Sequence, residues 1–253
     1  MKCKLTCPAR GFAMSMLTAG LVLCGSKLAM AGFFDACLAP GTQTIQVHQN
    51  TVVLRERVLL PSVDFDDCIV EVDPGVTLTL VQVKIDVVGD ERLDFDGDPT
   101  AKLTIRSSTI RACDTDIFGF GNLTISRSNI LDPNTTCDVK EFFVDGDIAI
   151  SGSVLTTENP EADSDIVIVS NDGKVTIVRS ALRAADDLRI EGPAGVTLTQ
   201  NRLRANSNFT ATSAAQLEAT RNIVSAPDGI TLTGDPCILA QNDPSLSCAA
   251  PPP

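Results

Sequence analysis

Tryptophan and tyrosine are missing from the chain altogether, and histidine appears once among its 253 residues, at His48. The first two absences remove the rings with a polar edge on which exposed sugar sites are commonly built, so only phenylalanine is left to stack. The lone histidine, ahead of the repeats described below, denies the chain a Ser-His-Asp set and reads as an ordinary surface residue. No two cysteines stand in the CxxC spacing of a four-cysteine zinc site, and no glycine-rich loop is placed to cradle a phosphate. Positive charge is scarce too. Twenty Lys and Arg face 32 Asp and Glu, a net charge of −12, which opposes the phosphate neutralisation that drives nucleic-acid binding.

Long apolar runs are confined to the start. Lys2, Lys4 and Arg10 precede a mostly apolar stretch from Gly11 to Cys24, and Ala29-Met30-Ala31 fits the small-x-small cleavage pattern. Residues 1–31 are expected to be a cleaved export signal, with the cut before Gly32 and no transmembrane segment in the mature chain. The expected destination is periplasmic or extracellular. The mature chain then holds 16 Lys and Arg against 32 Asp and Glu, a charge of −16. Six cysteines remain: Cys37, Cys68, Cys113, Cys137, Cys237 and Cys248. In an exported chain an even set of cysteines predicts disulfides.

What the chain has in plenty is one repeated unit. Residues 76–234 carry seven copies, recurring every 20 to 27 residues, that open Leu-Thr-Ile, reach Ser or Asn three residues later and return to an aliphatic residue two further on. Leu103-Thr104-Ile105…Ser108…Ile110 and Leu123-Thr124-Ile125…Ser128…Ile130 are the clearest. A second apolar pulse follows in each unit, as in Ile166-Val167-Ile168 and Leu188-Arg189-Ile190. Both pulses alternate apolar and polar at period two, which predicts short half-buried strands. Strands this short cannot stand alone, but stacked coils let each pair with its counterpart in the next coil around one shared core. The expectation is an all-β fold: a single-stranded right-handed parallel β-helix of about seven to eight coils. Residues 32–75 would form an N-terminal cap and first coil, 76–234 the repeats, 235–248 a C-terminal cap and 249–253 a disordered tail.

On these units the chain resembles the right-handed parallel β-helix superfamily that includes the pectate lyases. The resemblance covers about 160 to 200 residues. It implies a fold and leaves the activity open, because that scaffold carries unrelated functions. The polygalacturonase type on this scaffold uses clustered Asp residues and a Gly-His-Gly segment. Asp186-Asp187 is present here but the segment is not. The Tyr/His set of alginate-type enzymes is excluded by composition. Pectate-lyase chemistry would need an arginine facing an aspartate cluster across a groove, and no one arginine aligns with that role. No catalytic residue is carried over.

The register gives several columns a role. Ser108, Ser128, Ser153, Ser180, Asn201 and Asn222 fall between two inward aliphatic positions and are expected to form an internal polar ladder, bonding one another and corner backbone groups. Cys113 and Cys137 occupy matching corners of neighbouring units, where stacked backbones about 4.8 Å apart allow a disulfide. Cys37 would then pair with Cys68, and Cys237 with Cys248. Asp116, Asp138, Asp165 and Asp187 each precede a strand and read as turn residues, with cation ligation the alternative.

Chemistry is sought where the repeat breaks its rule. Two central connections, Ile130 to Val139 and Leu155 to Ile166, are longer than the rest, so residues 131–138 and 156–165 depart from the pattern. The second holds Glu158, Glu161, Asp163 and Asp165, an oxygen set that suits Ca²⁺ or acid–base work as well as plain solvation. Arg127, Arg179 and Arg221 share one outward column with Gln200, and Arg111, Arg183 and Arg204 share another. Such rows could grip a linear anionic polymer or simply balance neighbouring acids. The functional expectation is an exported, non-catalytic binding or surface-structural module for a glycan, envelope component or protein, monomeric or weakly oligomeric and without a cofactor. The alternative is a small lyase or hydrolase acting on an acidic polysaccharide.

Overall fold

A computed structural model describes residues 32–60, 65–89, 91–132, 140–157 and 164–249. The chain winds through three parallel sheets. The first has nine strands, from Gly41–Val47 to Gly229–Thr233; the second has nine, from Thr51–Leu54 to Cys237–Ala240; the third has eight, from Arg57–Leu60 to Ile223–Ser225. This is the parallel β-helix the repeat predicts. Leu-Thr-Ile forms the second sheet, the returning aliphatic residue the third, and the second apolar pulse the first.

Register runs from coil to coil without a slip through the repeats. Leu103, Leu123, Ile148, Val175, Val196 and Leu217 lie side by side along the second sheet. Alternation sends these side chains inward, where they and Phe95, Phe120, Phe142 and Phe209 make one continuous buried core. Fully burying each aliphatic side chain contributes about 1.5–3 kcal/mol. A column of glycines lets the coils close at the corner between the first and second sheets. A Cβ on Gly146 would lie 1.8 Å from the Gly121 carbonyl oxygen, and one on Gly121 would lie 2.0 Å from that of Pro99.

Both ends are dressed. A 3₁₀ turn, Phe33–Leu38, buries Phe34 and Cys37 against the first coil. The Glu56 carboxylate accepts the Phe33 and Phe34 N–H groups, each at 2.9 Å, and Cys37 is bonded to Cys68 with Cα atoms 5.6 Å apart. At the other end Cys237–Ala240 pairs with Leu217–Thr220, so strand pairing continues past residue 234 into the segment expected to be a cap. Cys237 is bonded to Cys248 (Cα–Cα 6.3 Å). Cys113 is also a disulfide cysteine, while Cys137 lies outside the described residues. No helix among the described residues is long and apolar enough to cross a membrane.

Candidate functional site

The corner between the second and third sheets is built alike in every coil. Its first residue takes a left-handed conformation: Arg55, Gln82, Ser107, Arg127, Gly152, Arg179, Gln200, Arg221 and Gln241 all have φ between 49° and 57°. For a residue with a Cβ this conformation costs of order 1–3 kcal/mol, so surrounding bonds must hold it. They do so along the axis. The Arg127 N–H donates to the Ser151 carbonyl and the Arg179 N–H to that of Thr199, each at 2.9 Å.

The second corner residue points inward and forms a column of bonds. The N–H of Ser108 donates to Ser128 Oγ, that of Ser128 to Ser153 Oγ, that of Ser153 to Ser180 Oγ, that of Ser180 to Asn201 Oδ1, and that of Asn201 to Asn222 Oδ1. Asn201 and Asn222 also donate Nδ2 to the carbonyls of Ile177 and Leu198. Buried polar atoms are thereby paired. Asn242 extends the column, accepting the Asn222 N–H at 2.9 Å. Its place was legible, because Cys237, Leu239 and Asn242 repeat the spacing of Leu217, Ala219 and Asn222.

The left-handed position turns its own side chain outward, which makes the arginine column a surface feature. Arg55 donates Nε to Gln82 Oε1 (3.0 Å), Arg179 to Gln200 (3.2 Å) and Arg221 to Gln241 (2.6 Å). Arg127 differs. The corner residue above it is Gly152, so no side chain is there to receive its guanidinium. A shallow groove results, bordered by Arg127, Gly152 and Arg179 with Thr104, Thr124 and Arg106 from the outward face of the second sheet. A second groove, lined by Arg55, Gln82, Arg106 and Arg127, continues it along the axis.

The long connections leave from a different corner, between the third and first sheets. Glu158, Glu161, Asp163 and Asp138 lie outside the described residues. Asp165 accepts the Asp187 N–H on Oδ1 at 2.9 Å, and Asp187 in turn accepts the Asn208 N–H at 2.8 Å. Asp116 likewise accepts the Glu141 N–H at 3.2 Å. These aspartates thereby secure the next coil's backbone. Arg111, Arg183 and Arg204 end third-sheet strands beside this corner, and the Arg183 carbonyl accepts the Thr157 N–H. The Arg127 column and the described ends of the long connections are thus on separate edges of the solenoid.

Two features were not foreseen. One is in the strand Lys140–Val144, which turns Lys140, Phe142 and Val144 inward. Lys140 is therefore fully buried and pairs with the equally buried Asp132, its Nζ also donating to the Ala112 carbonyl. The other is an acidic patch on the outward face of the first sheet. Asp94, Asp116 and Glu141 lie in line on successive strands, and Glu71 is in line with Asp96. Burial first, then the carboxylates of Asp116, Asp67 and Asp96, pushes Asp94 up to about 7. Burial raises Asp116 to about 6, against a bond from the Glu141 backbone and the charge of Arg92. Arg92 pairs with Asp114 at 3.1 Å, and Phe118 stacks on Phe143 beside the acids, centroids 5.7 Å apart. The patch keeps the repeat's register, which is why a search for departures from the repeat passes over it. No group of three or more His, Cys, Asp or Glu is placed to hold a metal among the described residues.

We find no match between this chain and any protein-family model, curated protein or solved structure.

Proposed function

We propose that the chain is an exported binding or surface-structural module, non-catalytic, that contacts a glycan, an envelope component or another protein through its flat outward faces. The observation that carries this reading is the continuity of the outward rows. Side chains on each sheet line up coil upon coil, so a partner of matching repeat can be met at many points at once. Export is supported by the two disulfides, which persist in oxidising compartments. A glycan array and a pull-down from envelope extract, both with the mature chain, test the proposal. A saturable partner in either supports it, and none in both overturns it.

One observation favours the enzymatic alternative: Arg92 lies among Asp94, Asp114 and Asp116, two of them with affinities for protons near neutrality. A lyase or hydrolase for an acidic polysaccharide would use such a set as acid and base. Assay over a panel of uronic-acid polymers with Ca²⁺ present checks this, following reducing ends and unsaturated-uronide absorbance. Turnover lost in Asp94→Asn would support it, and no turnover on any polymer would dismiss it.

A further inference from the structure

We infer that the notch at Gly152, between Arg127 and Arg179, seats the acidic groups of a linear anionic polysaccharide lying along the solenoid axis. This deepens the binding-module reading and rests on it. Three of the four arginines in the left-handed column hand Nε to a glutamine one coil further on. Arg127 alone meets glycine. A Cβ on Gly152 would meet nothing nearer than Arg127 Cγ at 3.6 Å, so the gap is open space and not a forced close approach of backbone. Nothing in the corner demands glycine either, since Gln82, Gln200 and Gln241 hold the same φ. The bare position leaves an arginine with no side-chain bond among the described residues at the centre of an exposed groove.

The surroundings set the ligand's chemistry. Arg106, Arg127 and Arg179 converge there, and hydroxyls of Thr104, Thr124 and Ser126 line the groove's wall. Guanidinium forks match carboxylate or sulfate, and the hydroxyls suit a sugar's own hydroxyls. Arg127 and Arg179 are two coils apart, about 10 Å along the axis, a separation that fits an acidic group on alternate sugars of an extended chain. The adjoining groove to Arg55 lengthens the track in the same direction. No Asp or Glu lines the groove, while carboxylates concentrate on the outward face of the first sheet, so the groove is a local positive stripe on a negative protein.

The test is titration of the mature chain at low salt with polygalacturonate (carboxylates), dextran sulfate (sulfates) and neutral dextran, alongside duplex DNA and anionic vesicles. Binding to one or both anionic polysaccharides and not to dextran is expected. Arg127→Gln with Arg179→Gln should weaken it at least about ten-fold. Gly152→Gln, which gives Arg127 the partner its column neighbours have, should weaken it comparably. The arginine variants use a residue this column already accommodates and should unfold as the parent does; Gly152→Gln puts a Cβ on a left-handed backbone and should unfold somewhat below the parent, so binding is compared at a temperature where both are fully folded. Arg189→Gln, on the first sheet, should bind as the parent does. Variants that bind like the parent, or a parent that takes DNA or vesicles and neither anionic polysaccharide, overturn the inference. If a glycan or envelope partner is found and these variants keep it, the groove is wrong while the binding-module reading stands; if none is found, that reading itself fails.

Discussion

The same coils present opposite chemistry on two edges. Where the second sheet turns into the third, arginines stand outward on a strained but bond-supported corner. On the outward face of the first sheet, carboxylates crowd until burial and mutual repulsion push Asp94 to about 7. The scaffold is identical in both places, since each is a column repeated once per coil. What differs is how the charges are compensated. Three of the four corner arginines donate to a glutamine on the next coil, whereas the acids stand next to one another with Arg92 among them. A β-helix thus imposes only the spacing of a surface, and the residue written at each outward position decides whether that row attracts a ligand or repels itself.

The largest expected effect comes from breaking the frame that carries both regions. Lys140→Met leaves Asp132 charged and buried without its cation, and should cost about 3–5 kcal/mol in urea titration. Next is the corner column. Asn201→Ala strands the Ser180 N–H and the Ile177 carbonyl and opens a small void, for a loss of about 2–4 kcal/mol, while Thr199→Ala on the outer face should cost little.

On the acidic face the sign reverses. A carboxyl whose folded pKa is raised favours the fold fully below its unfolded value near 4, and that contribution is lost as pH rises through about 7. Asp94→Asn should therefore leave Tm unchanged near pH 4 and raise it progressively to a plateau above pH 7. After allowance for solvent screening the gain is about 1 kcal/mol, or roughly 2–4 °C. The smallest effect sharpens the comparison from the other side: Arg127→Gln should alter stability by less than about 0.5 kcal/mol, because its side chain has no bond to lose.

The corner was readable in advance because it is periodic. Inward Ser and Asn recur between aliphatic residues at Ser108, Ser128, Ser153 and Ser180, and stacking leaves them one environment. The outward Arg127 and Arg179 could be placed in a column by the same register. Three things escaped. The left-handed backbone of that column was hidden because Arg and Gln rarely adopt it, so residue type gave no warning. Lys140 was hidden because alternation carries no absolute phase where a long connection intervenes. The Asp94–Asp116 pair was hidden because adjacency between coils depends on register across residues 97–113, not on any local motif.

The central claim, that the corner groove and not the acidic face meets the ligand, is tested most directly by arginine-selective labelling of the mature chain with and without dextran sulfate or polygalacturonate, read residue by residue by mass spectrometry. Protection of Arg106, Arg127 and Arg179 with Arg92 and Arg189 labelled as before is the predicted result; protection centred on Arg92 and Arg189, or equal labelling throughout at saturating polymer, would contradict it.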